Sequence, residues 1–146
     1  MTKVVSDKFK KVDTQVMAVQ KGMFPNNTIT SNWSTHEWLH FIRHIPTTID
    51  RASLKKLDDA FGFSNSGNSE IQAAWYELSI KNGYFLENNL AQIESFLINV
   101  GRRKFLTPLY RALKESGHLK IAQDIYQEAR PNYHSVSTAT MDALLK

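Results

Sequence analysis

Two short stretches of this 146-residue chain place chemically capable side chains at useful spacings. The first is Gly101-Arg102-Arg103-Lys104-Phe105-Leu106-Thr107-Pro108. Three consecutive cations stand between a glycine suited to the end of one helix and a Thr-Pro pair suited to the N-cap and first position of the next. A basic fork beside the free N–H groups of a helix N-terminus favours an anion. Side chains alternate along an extended link, so Arg102 and Lys104 are expected to point one way and Arg103 the other. Two cations converging on one spot suit a carboxylate, which an Arg grips with two parallel hydrogen bonds. The bland reading of the same residues is a solvated pair of cations at a helix end.

The second stretch, His36-Glu37-Trp38-Leu39-His40, has the spacing that puts two imidazoles on one zinc with a Glu as general base. Asp59 lies where a distant third ligand could fall. The helical wheel argues against zinc. At about 100° per residue, Trp38, Phe41, Ile42 and Ile45 form an apolar arc, with His36, His40 and His44 nearly opposite. A solvated face offers neither a third ligand nor the outer hydrogen bonds a catalytic metal needs. Glu37 has a simpler role, because Ser34-x-x-Glu37 is a capping box. We therefore read His36, Glu37 and His40 as a chance match and assign no metal to this chain. At most, the His stripe binds metal weakly at the surface.

Other constellations are thin. No Gly-rich phosphate loop or nucleophile elbow occurs. Asp58 and Asp59 diverge on a helix and read as a solvated face. His134 follows a Pro-Asn turn and reads as a local hydrogen-bonding residue. No catalytic residue is assigned.

The elements that must carry these residues are helical. Phe9, Val12, Val16 and Val19 recur at helical spacing, and Gly22–Asn27 reads as a loop. Further helices are expected over about Ser34–His44, Asp50–Ala60, Asn68–Gly83, Leu90–Val100, Thr107–Ser116, Leu119–Ala129 and Thr138–Leu145, with punctuation at Pro46, Gly62, Gly83, Gly117 and Pro131. No run has the period of a strand. The fold class is therefore all-α: a single domain over residues 1–146, with about eight to nine helices packed antiparallel in a helical-repeat-like superhelix. No fixed-period repeat is visible.

Composition fits a globular chain with a real core: 42% hydrophobic and 22% charged. The formal net charge is +4. Residues 1–100 hold ten Lys/Arg and ten Asp/Glu; residues 101–146 hold eight and four and supply the whole excess. The aromatics there are not interleaved with the cations as a base-stacking platform requires, so no nucleic-acid partner is assigned. No apolar run is long enough to span a membrane, so no membrane partner is assigned either. No hydrophobic signal region precedes Lys8, and the chain has no Cys, which suits a cytoplasmic protein.

Taken in order, Asn68-Ser69-Glu70-Ile71, Gly101-Arg-x-Lys-Phe-x-x-Pro-Leu109, Tyr126-Gln127-Glu128 and His134-Ser135-Val136-Ser137 carry a resemblance. The chain, from roughly Phe9 to Ala139, resembles the C-terminal helical domain of leukotriene A-4 hydrolase and its zinc aminopeptidase relatives, including aminopeptidase B. The resemblance implies that Arg102 and Lys104 hold the C-terminal carboxylate of a short peptide substrate. Arg103 departs from the apolar residue often found between them and is expected to face away. The resemblance also implies a parent enzyme whose zinc and Gly-x-Met-Glu-Asn motif lie in a preceding catalytic domain. That motif is absent here, so the chain is expected to be a fragment, inert alone, whose partners are that catalytic domain and the peptide. Hydrolysis of lipid epoxides belongs to only some members and cannot be assigned. The alternative is a free-standing helical scaffold for protein–protein interaction.

Overall fold

The computed structural model describes residues 7–21 and 33–145; the loop expected over Gly22–Asn27 lies outside the described residues. Among them are nine α-helices: α1 (Asp7–Gln20), α2 (Thr35–His44), α3 (Arg51–Phe61), α4 (Ser69–Asn82), α5 (Phe85–Asn88), α6 (Leu90–Asn99), α7 (Arg103–Glu115), α8 (Leu119–Ala129) and α9 (Ser135–Leu144). Short 3₁₀ turns at Phe63–Asn65 and Arg130–Asn132 join α3 to α4 and α8 to α9. No strand occurs among the described residues, so the protein is all-α. No helix among them is long and apolar enough to cross a membrane. The contacts divide the chain into two compact units, Met1–Leu78 and Ser79–Lys146.

In the first unit α1 packs on α2. The Val12, Val16 and Val19 stripe of α1 is buried, as are Leu39, Phe41 and Ile42 of α2. The capping box forms: Ser34 Oγ accepts from the Glu37 N–H at 3.3 Å, and Glu37 Oε1 accepts from the Ser34 N–H at 3.0 Å. Trp38 sits among aromatic rings, with centroids 4.8 Å from Trp33, 5.0 Å from Phe61 and 5.4 Å from Phe63. Such edge-on contacts add to burial. Gly62 takes the left-handed conformation (φ 65°) that ends α3. Asp58 is not the solvated residue expected. Its carboxylate accepts the Ser64 N–H at 2.9 Å and the Ser64 hydroxyl, which fixes the turn after α3. Asn68 caps α4 through Oδ1, which accepts from the N–H groups of Glu70 and Ile71.

In the second unit α8 packs on both α6 and α7, and α9 packs on α7. Ile93, Leu97, Leu106, Leu109, Tyr110, Leu113, Ala122 and Met141 are all but fully buried between them. Gly117 (φ 84°) makes the tight turn from α7 to α8. Two polar ties hold this unit, one buried and one at its surface. Tyr133 donates its hydroxyl hydrogen to the Leu97 carbonyl and lies 2.9 Å from the Tyr110 hydroxyl. Arg130 grips Asp142 of α9 with Nε and Nη2 at 3.1 and 2.9 Å, and the same carboxylate accepts from the Tyr126 hydroxyl. Burial raises all three phenols, Tyr126 and Tyr133 to about 12 and Tyr110 further still.

Candidate functional site

The basic cluster does not lie in an extended link. Helix α7 begins at Arg103, four residues before the expected start, and runs through Pro108. Pro108 is the sixth residue of the helix, past the first turn, so it has no N–H to give the Lys104 carbonyl and the helix forgoes that bond. Arg102 is the N-cap, with extended backbone (φ −80°, ψ 119°), and its carbonyl accepts the first helical bonds from Phe105 and Leu106. Gly101 does not end α6 in the left-handed conformation; α6 ends on extended Val100. The apolar positions explain the early start. Phe105, Leu106, Leu109 and Tyr110 share the buried face of one continuous helix, and Thr-Pro cannot override that burial.

This geometry still sorts the three cations. The Arg102 guanidinium carbon lies 5.8 Å and Lys104 Nζ 4.9 Å from the centroid of the Phe105 ring, so both heads gather at one aromatic side chain. Arg103 turns instead to α9 and donates to Thr140 Oγ1 at 3.4 Å. All three side chains are exposed.

They border an open pocket of about 1000 Å³. Gly101, Arg102, Arg103, Lys104, Thr107 and Pro108 form one wall. Asn132, His134, Val136 and Ser137 form the other. Arg103 points away from the other two heads, toward α9, yet it lines the same pocket. The opposite wall was not legible in the sequence as part of any site. It is placed by Tyr133, whose hydroxyl anchors the loop to Leu97 and whose ring lies 3.8 Å from where a Gly101 Cβ would stand. His134 is the N-cap of α9, exposed and lining the pocket.

Two helix N-termini thus border one pocket, at Arg102–Lys104 and at His134–Val136, and no side chain caps either among the described residues. Helix starts carry partial positive charge. Three full positive charges are added by the cations, and none of the described lining residues bears a carboxylate. The arrangement can hold an anion.

The His-Glu-x-x-His stretch takes a different form. His36 and His44 are exposed, but His40 is not on an open face. Its Nε2 lies 2.6 Å from Asp13 Oδ1 of α1, and its ring stacks on His44 at 4.0 Å. His40 therefore ties α2 to α1. Asp59 pairs with Lys55 at 3.3 Å. Among the described residues, no group of three His, Cys, Asp or Glu is placed to hold a metal ion.

Comparison with known sequences agrees with this architecture. The family pattern described as "Leukotriene A4 hydrolase, C-terminal" matches residues 33–145, and the chain belongs to that family. Aminopeptidase B of Homo sapiens is 29% identical over 101 residues, covering 67% of this chain and 15% of the relative. Aminopeptidase B of Mus musculus is 26% identical over 110 residues, covering 72% and 17%. Leucine aminopeptidase 2 of Yarrowia lipolytica is 31% identical over 83 residues, covering 57% and 12%. The chain thus matches less than a fifth of the length of these relatives.

Proposed function

We propose that this chain is the C-terminal domain of a zinc aminopeptidase and that its pocket holds the C-terminal carboxylate of a short peptide. The observation that carries the proposal is the pair of cation heads, Arg102 and Lys104, gathered at the Phe105 ring on the wall of an open pocket bordered by two helix N-termini. Relatives named as aminopeptidases support the activity of the whole protein. On this reading the zinc and the reacting groups belong to a catalytic domain of the same polypeptide. The cleaved bond lies at the peptide's other end. Fixing the carboxylate sets how far the peptide's N-terminus reaches, and that binding energy goes into alignment of the scissile bond. Arg102 supplies the two-pronged contact and Lys104 a point charge.

The test is kinetic, in the full-length polypeptide. Arg102→Ala is expected to lower kcat/KM for tripeptides with a free carboxylate by roughly ten- to a hundredfold, the value of a charged hydrogen bond. Lys104→Ala is expected to cost less. The matching peptide amides and aminoacyl-arylamides should change little. An equal loss on acids and amides would mean that the cations hold structure, and the proposal would fall.

A further inference from the structure

Arg103 is the feature the carboxylate reading leaves over. A single carboxylate is satisfied by Arg102 and Lys104, yet a third fixed cation lines the same pocket. It is separate in place as well as in number. Its head reaches toward α9, whereas the other two gather at Phe105. Its acceptor there, the Thr140 hydroxyl, is neutral and at the long limit of a hydrogen bond, so this contact leaves the guanidinium charge uncompensated. Thr140 stands one helical turn beyond Val136 and donates to the Val136 carbonyl at 3.1 Å, so Arg103 lies over the α9 face that forms the second wall.

The pocket therefore offers two cationic positions, the Arg102–Lys104 pair at Phe105 and Arg103 reaching toward α9, and a ligand with two carboxylates a few bonds apart fits it better than a ligand with one. A peptide ending in glutamate or aspartate is such a ligand. We infer that Arg103 is a specificity residue that recognises an acidic side chain on the substrate's C-terminal residue, while Arg102 and Lys104 take the main-chain carboxylate. The inference rests on the carboxylate reading above and adds the class of peptide. Exposed charge pairs are worth up to about 1 kcal/mol, which sets the scale of the preference at about fivefold.

Three tripeptides sharing their first two residues and ending in glutamate, glutamine or glutamine amide separate the two ideas in the full-length polypeptide. The glutamate peptide is expected to exceed the glutamine peptide about fivefold in kcat/KM, the ratio shrinking as salt rises. Arg103→Met should bring the ratio to about one and leave discrimination between glutamine acid and glutamine amide intact. Arg103→Lys should keep part of the ratio, and Thr140→Ala should keep all of it, since only a neutral acceptor is lost. A wild-type ratio near one, a preference for glutamine over glutamate, or an equal loss on both acids in Arg103→Met overturns the role of Arg103. Failure to discriminate acid from amide overturns the carboxylate reading instead. If no peptide is cleaved and none competes with an arylamide substrate, both fall.

Discussion

Tyr133 shows how a residue outside the basic cluster builds the pocket. Its hydroxyl satisfies the buried Leu97 carbonyl and meets Tyr110, while its ring lies against Gly101 and its neighbours Asn132 and His134 form the far wall. Tyr133→Phe leaves a buried carbonyl without that donor, a loss of roughly 1–3 kcal/mol. Denaturant unfolding is expected to show it as a lower midpoint with an unchanged slope; an unshifted midpoint would mean the bond contributes nothing. The sequence pairs Arg102 with Lys104 through alternation along an extended link, whereas the structure gathers their heads at the Phe105 ring at the start of a helix. The places of His134, Val136 and Arg103 in the pocket were not legible. They depend on a tertiary bond between residues 97 and 133, and nothing local in either segment announces it. His40 misled for the same reason, since its partner Asp13 lies on another helix.

At the scale of elements, signals that act within one turn were readable. Ser34 and Glu37 form the capping box, Asn68 caps α4, and Gly62, Gly83 and Gly117 take positive φ where helices were expected to stop. The start of α7 was misplaced because Thr107-Pro108 is a good local start, and only burial of Phe105 and Leu106 outweighs it. Ser34→Ala should cost about 1 kcal/mol of stability through the lost cap, seen in thermal or denaturant unfolding; no change would mean that α2 is held by packing alone. Gly101→Ala should be tolerated, since its φ is not positive and the added Cβ meets Tyr133 and the Asn132 carbonyl at ordinary contact distance, 3.8 and 3.9 Å. Gly117→Ala should destabilise, because φ 84° strains any side chain. Equal effects at the two glycines would contradict this assignment of turns.

At the scale of the whole molecule, buried phenols set an alkaline limit. Tyr76 and Tyr133 are both raised to about 12 when folded, chiefly by burial. Unfolded tyrosines ionise near 10, so the unfolded chain releases these protons first as pH rises. The stability tied to the neutral phenols is intact below about pH 10 and is lost as pH climbs through 12. Helical circular dichroism and phenolate absorbance are expected to change together across that window. Ionisation of every tyrosine near pH 10 with the helices intact would contradict it.

A single structure decides where the peptide ends. The full-length polypeptide should be crystallised with an uncleavable tripeptide bearing a free C-terminus. A terminal carboxylate is expected in the pocket at hydrogen-bond distance, about 2.7–3.2 Å, from the Arg102 guanidinium, with Lys104 beside it. A bound peptide whose carboxylate lies away from both cations would contradict the claim.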